Sequence, residues 1–132
     1  MAAREPEATL PAGERRQLTV LFCDLVGSTP LSQQLDAEEW RYVVAQYQKA
    51  AAGAVARWGG HIAKELGDGL LIYFGWSEAR EDDPERAIRA GLAILDAMVP
   101  VNAQLAAGDG TRLAVRIGMH TGPVVIADGG EV

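Results

Sequence analysis

The sequence contains a single cysteine among its 132 residues, so it offers no disulfide framework. Its two histidines, His61 and His120, have no cysteine, histidine or acidic partner at metal-ligand spacing, and we expect both to be ordinary strand residues. We find no apolar run long enough to span a bilayer and no signal peptide. These absences favour a reducing compartment, and we expect a cytoplasmic protein without a membrane segment.

Positive charge is also scarce. Twelve lysines and arginines stand against 18 acidic residues, which gives a formal net charge of −6. That balance argues against a nucleic-acid partner, because a phosphate backbone would be repelled. A chain of this length predicts one domain. Residues 1–14 carry prolines and scattered charge without periodicity, so we expect a flexible leader followed by a domain over residues 15–132.

The most informative stretch is residues 18–29, with the sequence LTVLFCDLVGST. Residues 18–23 are apolar and favour β structure, which predicts a strand that is apolar on both faces. Asp24 ends the run. A carboxylate at the end of a core strand is unfavourable unless it is paired or binds a metal.

A loop of small residues follows this carboxylate. Gly27 and Ser28 provide a flexible backbone and a hydroxyl, and we expect Thr29 to cap a short helix that has Pro30 at its first position. A strand, a carboxylate, such a loop and a helix start together suit a metal and phosphates. Taken alone, however, the stretch is equally well explained if Asp24 simply caps a turn.

A second carboxylate motif occurs at residues 64–69, KELGDG, which predict a hairpin turn with Asp68 between two glycines. An apolar strand follows over residues 70–74. The two aspartate motifs, in this order and spacing, resemble the class III nucleotidyl cyclases, the adenylate and guanylate cyclases that make cyclic AMP or cyclic GMP. The resemblance covers residues 15–132 but only the N-terminal two-thirds of the family's domain, so we expect a domain truncated at its C-terminal end.

The remaining patterns predict the element order β-α-α-β-β-α-β-β. This is an α+β fold with a ferredoxin-like βαββαβ core. A right-handed crossover makes the first two strands parallel, and the third strand inserts antiparallel between them. The end of the first strand then lies beside the turn before the third strand, so Asp24 and Asp68 are expected on the same rim.

Several boundaries can be predicted within this order. Asp36 and Glu39 have the spacing of a capping box at the start of the second helix. Asp83 is expected to cap the third helix, and Pro100 is expected to kink or end it. The predicted last strands are residues 113–120 and 124–127, with a turn at residues 121–123.

The resemblance also implies the chemistry. It implies an adenylate cyclase that converts ATP to cyclic AMP and pyrophosphate by two-metal catalysis. Asp24 and Asp68 would be the catalytic residues and would hold two Mg²⁺ or Mn²⁺ ions, with the backbone carbonyl of Leu25 as a further metal ligand. The residues implied to bind the substrate are Val26, Gly27, Ser28, Thr29, Lys64, Leu66 and Gly67.

Lys64 occupies the position of a lysine that reads adenine in the family, which favours ATP as the substrate. An ammonium group can donate to the adenine N1 acceptor, whereas guanine presents a donor there. The residue would act on substrate held by the partner subunit, because the resemblance implies a homodimer, or a pseudo-dimer with another cyclase domain. A solvated lysine at a strand end is the plainer explanation.

Two departures from the family bear on activity. Pro123 stands where some members have an arginine that contacts phosphate. The family's second adenine-contacting residue and its transition-state Asn and Arg would fall beyond Val132. We therefore expect the 132 residues alone to bind divalent cations weakly and to form no cyclic AMP.

Other functions remain open at this point. The chain is also compatible with a guanylate cyclase, or with a non-catalytic nucleotide-binding or dimerisation module of the same fold. A phospho-acceptor domain with Asp24 as the acceptor would need an acidic pair after an earlier strand, and residues 1–16 provide no such strand.

Overall fold

The computed structural model describes residues 14–108 and 111–126. The elements in chain order are β1 (Glu14–Leu25), α1 (Ser28–Gln34), α2 (Ala37–Arg57), β2 (His61–Leu66), β3 (Gly69–Phe74), α3 (Asp83–Gly108) and β4 (Val115–Ile126). β1 therefore takes in Glu14, the last residue of the expected leader. The sequence also predicts a loop at residues 108–110 and a loop-like end at residues 128–132, and Gly108 is instead the last residue of α3. Residues 109–110 and 128–132, like the rest of that leader, lie outside the described residues.

The sheet has the order β2-β3-β1-β4. β3 is antiparallel to both β1 and β2, so β1 and β2 are parallel to each other, as the crossover argument predicted. Asp24 is paired with Gly69 across the β1–β3 ladder and with Arg116 across the β1–β4 ladder. The α+β class and the βαββαβ core are confirmed.

The long helices α2 and α3 pack on one face of the sheet. Side chains at alternate positions of the strands, such as Leu21 and Ile72, meet Tyr47 of α2 and Ile94 of α3 in the main hydrophobic cluster. Each of these four side chains is completely buried. The opposite face carries a smaller cluster around Tyr73. We call this opposite side the open face, because α2 and α3 do not pack on it.

The predicted end of the fold is wrong in one respect. β4 is a single strand that pairs with β1 along its whole length, so the order ends β-α-β rather than β-α-β-β. Thr121 does not begin a turn but faces Thr19, with their hydroxyl oxygens 2.8 Å apart. Pro123 pairs with Gln17. β4 is an edge of the described sheet, where a proline without an N–H is tolerated.

Of the predicted starts of α1 and α2, one is confirmed and one is wrong. The capping box of α2 is confirmed: the Glu39 amide donates to Asp36, and the Asp36 amide donates to Glu39. Thr29, in contrast, is not a cap. The residue before α1 is Gly27 in the left-handed conformation, so the helix begins at Ser28. Glycine adopts that conformation without steric cost, and the helix therefore starts before the expected hydroxyl.

α3 also differs from expectation at both of its predicted limits. Asp83 is the first helical residue and is buried, and its carboxylate accepts a hydrogen bond from the backbone amide of Arg80. The helix also continues through Pro100 to Gly108. Pro100 lies on the exposed side of the helix, so its ring and the missing hydrogen bond are tolerated there.

α3 is long and apolar enough, by length and composition alone, to cross a membrane, which corrects the expectation that no run of this kind exists. One side of it packs into the main cluster through Ala87, Ala90, Ile94 and Met98, as in the core helix of a folded domain. The other side leaves a row of apolar side chains exposed, namely Ile88, Leu92, Leu95 and Val99.

Candidate functional site

Asp24 and Asp68 lie on the rim of the same cleft, as predicted from topology. This cleft has a volume of about 390 Å³, and we call it the aspartate cleft. Asp24 comes from the end of β1, whereas Asp68 comes from the turn that joins β2 to β3. The other lining residues are Phe22, Cys23, Leu66, Gly69, Leu70, Arg116, Ile117 and Gly118.

Strand alternation explains how β1 presents Asp24. Cys23 and Leu25 point into the main cluster under the helices, so the intervening carboxylate points to the open face. Phe22 points the same way and is 52% exposed, although the sequence predicted a strand buried on both faces. The open face at the end of β1 is therefore an uncovered apolar surface with a carboxylate at its edge.

A tight hairpin presents Asp68. Leu66 pairs with Gly69, so Gly67 and Asp68 form a two-residue loop. Gly67 has a φ of 65°, which such hairpin turns require and which other residues rarely adopt. The predicted hairpin is confirmed, and it places the second carboxylate on the cleft that Asp24 lines.

Arg116 is the main residue of the cleft that sequence reasoning missed. It is paired with Asp24 in the β1–β4 ladder, and its Nη2 lies 3.5 Å from Asp24 Oδ2. The arginine side chain is 73% exposed, so this is a weak, solvent-screened contact rather than a rigid ion pair. A cation beside one carboxylate, with its charge directed to solvent, can attract an anion to the cleft. The sequence offered one indication of this residue, namely that Arg116 is a single charged residue within an apolar strand.

Tyr47 supports the cleft from below. Its hydroxyl donates to the backbone carbonyl of Cys23 at 3.0 Å and lies 3.3 Å from the Cys23 sulfur. Burial raises the pKa of Tyr47, and the Cys23 hydrogen bond and the charges of Asp24 and Asp68 add to this effect. Burial likewise raises the pKa of Cys23 against the opposing effect of the Tyr47 hydrogen bond. Cys23 is thus a buried neutral thiol.

The loop before α1 fits the predicted phosphate contacts only in part. The Val26 amide donates to the carbonyl of Ala114 at 2.8 Å, so in this structure it is not available to a phosphate. Gly27 begins the helix without a side-chain cap, which leaves the first amides of α1, at Ser28 and Thr29, without a competing side-chain acceptor.

The other predicted site residues are divided between the cleft and its surroundings. Leu66 lines the cleft and is 45% exposed, whereas Gly67 and Lys64 do not line it. Lys64 is an exposed residue of β2 paired with Leu71. The Leu25 side chain is buried in the core, so only its backbone carbonyl remains as a potential ligand.

The donor atoms of the cleft fit a hard divalent cation. Two carboxylates, each partly exposed, line one cavity, and oxygen ligands are what Mg²⁺ and Mn²⁺ prefer. Within residues 14–108 and 111–126 there is no group of three or more His, Cys, Asp or Glu side chains that could hold a metal ion. Backbone carbonyls, water or substrate oxygens would have to complete the coordination, which is common for Mg²⁺.

Comparisons with known proteins agree on the family. A family model described as the adenylate and guanylate cyclase catalytic domain matches residues 10–131. The solved guanylyl cyclase Cya2 is 36% identical and superposes with a TM-score of 0.84, over 87% of this chain and 58% of its own. The adenylyl cyclase CyaB from P. aeruginosa is 29% identical with a TM-score of 0.83, over 88% and 61%.

A curated relative gives a similar result. An adenylate cyclase from Streptomyces coelicolor is 32% identical over 109 residues, which are 83% of this chain and 25% of the relative. The chain therefore spans a quarter of that curated relative and about three-fifths of the two solved cyclases.

Proposed function

The chain belongs to the family of adenylate and guanylate cyclase catalytic domains, and we propose that it forms the metal- and phosphate-binding part of an adenylate cyclase. In this proposal ATP is converted to cyclic AMP and pyrophosphate, with two Mg²⁺ or Mn²⁺ ions at each site.

One observation carries the proposal: two carboxylates from distant segments, Asp24 and Asp68, line the same cleft with a cationic side chain beside them. Among the residues that the structure describes, Asp24 has only the solvent-screened contact with Arg116, and neither aspartate caps a helix. These two are partly exposed on a cavity large enough for phosphate groups, which is the arrangement that a metal–nucleotide complex requires.

The reaction needs the ribose 3′ hydroxyl to attack the α-phosphate while pyrophosphate leaves. Bound divalent cations would supply activation of that hydroxyl and stabilisation of the phosphate charge. The residues of this chain have complementary tasks. Asp24 and Asp68 would hold the cations, the first backbone amides of α1 would donate hydrogen bonds to phosphate oxygens, and the Arg116 guanidinium would offset part of the phosphate charge.

Two observations favour different bases for the substrate. Lys64 favours adenine by its donor chemistry. The 36% identity to a guanylyl cyclase, against 29% to an adenylyl cyclase, favours guanine instead. We propose ATP, because a lysine ammonium has donors only and cannot accept from the guanine N1–H. GTP is the second candidate.

We further propose that the open face is the contact surface with a second cyclase domain, in a homodimer or a pseudo-dimer. Phe22 and Leu66 leave apolar area uncovered next to the cleft, which is where a partner domain would exclude water. Lys64 lies outside the cleft of its own chain, which suits a residue that contacts substrate held by the partner. A non-catalytic dimerisation module of the same fold would use the same surface.

Turnover with Mn²⁺ and ATP or GTP tests the proposal, in a protein that carries this chain over the full length of a cyclase domain. Asp24→Asn and Asp68→Asn should each retain less than about a tenth of the activity, a barrier increase above about 1.4 kcal/mol. A matched control is Asp96→Asn, an exposed aspartate on α3 outside the cleft. Activity in either cleft variant equal to that of the control would refute the two-carboxylate assignment.

A further inference from the structure

Two neighbouring residues of α2 contact the two segments that carry the aspartates. The Tyr47 hydroxyl donates to the backbone carbonyl of Cys23 at 3.0 Å. The Gln48 side-chain amide donates to the backbone carbonyl of Gly67 at 3.1 Å. Cys23 immediately precedes Asp24, and Gly67 immediately precedes Asp68.

The position of these carbonyls matters because a peptide bond is planar. The carbonyl of Cys23 and the backbone nitrogen of Asp24 belong to one rigid unit, and the same holds for Gly67 and Asp68. A hydrogen bond that fixes the carbonyl therefore fixes the orientation of the unit from which the aspartate continues. Each carboxylate is then positioned by its own φ and side-chain torsions.

We propose that Tyr47 and Gln48 are positioning residues, which together set the separation of Asp24 and Asp68 and so the affinity of the site for a pair of cations. This inference rests on the proposed metal-binding function of the cleft. Neither residue lines the aspartate cleft; each acts through the backbone of the residue before an aspartate.

α2 is suited to hold such a spacing. Its start is fixed by the capping box at Asp36, and its buried side, which includes Val43, Ala51 and Val55, packs into the main cluster. β1 and the β2–β3 turn are far apart along the chain. The turn itself is closed by the pairing of Leu66 with Gly69. Asp24 and Gly69 are paired in the β1–β3 ladder, so the sheet already ties one side of the turn to β1. The hydrogen bonds from α2 add a second link, which fixes the peptide units immediately before the two aspartates.

The two contacts differ in what else they do. Tyr47 is completely buried and is part of the main cluster, so its ring also stabilises the fold. Gln48 is only partly buried, and its hydrogen bond is at the protein surface. Gln48 is therefore the better residue for separating positioning from stability.

The experiment is a Mn²⁺ titration of the full chain, followed by electron paramagnetic resonance, which reports the free Mn²⁺ and the spin coupling between bound ions. The variants are Gln48→Met, which keeps the length of the side chain and removes the donor, and Tyr47→Phe, which keeps the buried ring. The control is Gln46→Met, on the same helix but along the groove beside Lys49 rather than at the aspartate cleft. Urea unfolding of each variant measures stability separately.

We expect Gln48→Met to weaken binding of the cation pair about threefold to tenfold, the factor that corresponds to one ordinary hydrogen bond. Its spin coupling should change, and its unfolding midpoint should match that of Gln46→Met. Tyr47→Phe should weaken binding in the same direction with some loss of stability; if this variant fails to fold, Gln48→Met decides.

Two results would overturn the inference, and they can be told apart. If the unaltered chain binds Mn²⁺ through Asp24 and Asp68 but Gln48→Met matches Gln46→Met in affinity and coupling, the positioning role is wrong while the proposed function stands. If the unaltered chain shows no Mn²⁺ binding that requires Asp24 and Asp68, the proposed function fails and the inference fails with it.

Discussion

Leu21 and Phe22 are adjacent in β1, yet Leu21 is completely buried and Phe22 is 52% exposed. The difference arises because alternate strand residues face opposite sides of the sheet, and α2 and α3 cover only one of them. Leu21 therefore lies in the hydrophobic core, whereas the next residue, Phe22, lines the aspartate cleft.

This contrast separates two tasks within the same strands. The helix-covered face holds the fold together through close packing of side chains such as Leu21 and Ile72. The open face carries the groups that can meet a ligand or a partner: Asp24, Phe22 and Arg116. Away from the smaller cluster around Tyr73, a substitution on the open face should therefore change binding, whereas a substitution on the helix-covered face should change stability.

The largest effect on stability is expected for Ile72→Ala, because this side chain is completely buried in the main cluster. We expect a loss of about 2–5 kcal/mol in the free energy of unfolding, measured by urea denaturation. Phe22→Ala, on the open face, should cost less than about 1 kcal/mol despite removing a larger side chain. Equal losses in the two variants would mean that the open face is covered after all.

The next largest effect is expected at Arg116. Arg116→Ala should weaken binding of the metal–nucleotide complex about tenfold, since it removes one charge-assisted contact to phosphate. Calorimetric titration of the full chain with ATP and Mn²⁺ measures this. Arg112→Ala removes the same charge from an exposed position outside the cleft and should have little effect. If both variants bind equally, Arg116 has no role in phosphate binding.

A smaller effect is expected at Lys64, which is exposed and lies beside the cleft rather than in it. Lys64→Glu should lower the ratio of ATP to GTP turnover about threefold, because a carboxylate accepts from the guanine edge whereas an exposed contact is weak. The control is Glu65→Lys, at the next strand position, which points to the other side of β2. An unchanged ratio in Lys64→Glu would remove this residue from base recognition.

The smallest effect is expected in the free energy of unfolding as the pH is raised above 7. Burial raises the pKa of both Cys23 and Tyr47, so the unfolded chain loses these protons at lower pH than the folded chain. Each group therefore contributes fully to the free energy of unfolding below the pKa that it has in the unfolded chain, which is about 8.5 for a thiol. The contribution declines as the pH rises above that value. From pH 7 to pH 8.5 the Cys23 part should cost at most about 0.4 kcal/mol. Urea unfolding at pH 7 and pH 8.5 measures this loss in the unaltered chain, and Cys23→Ala should not show it. If the unaltered chain instead became more stable relative to Cys23→Ala as the pH rises, the raised pKa of Cys23 would be contradicted.

Some locally encoded features could be predicted from the sequence, although the expected caps at Thr29 and Asp83 were wrong. The capping box of α2 depends on Asp36 and Glu39 alone, and the hairpin around Asp68 depends on its flanking glycines, so both were found. The shared rim of Asp24 and Asp68 followed from the handedness of one crossover. The capping box and the hairpin needed no knowledge of other segments, and the shared rim needed only the order and direction of the strands, not their register.

Features that depend on non-local register could not be predicted in this way. Arg116 reaches Asp24 only because β4 pairs with β1 in one particular register, which the sequence of either strand does not specify. The continuation of α3 past Pro100 depends on which side of the helix faces solvent. The contacts of Tyr47 and Gln48 with the aspartate-bearing segments likewise require α2 to be packed on the sheet before they can be seen.

The most direct test of the central claim is a Mn²⁺ titration of the full chain, with Asp24→Asn, Asp68→Asn and Asp96→Asn measured in parallel. If the two aspartates form one metal site, the unaltered chain and Asp96→Asn should bind Mn²⁺ at millimolar or lower concentration. Both cleft variants should lose that binding while keeping the same unfolding midpoint. Binding that survives unchanged in either cleft variant, or no binding by the unaltered chain, would contradict the account.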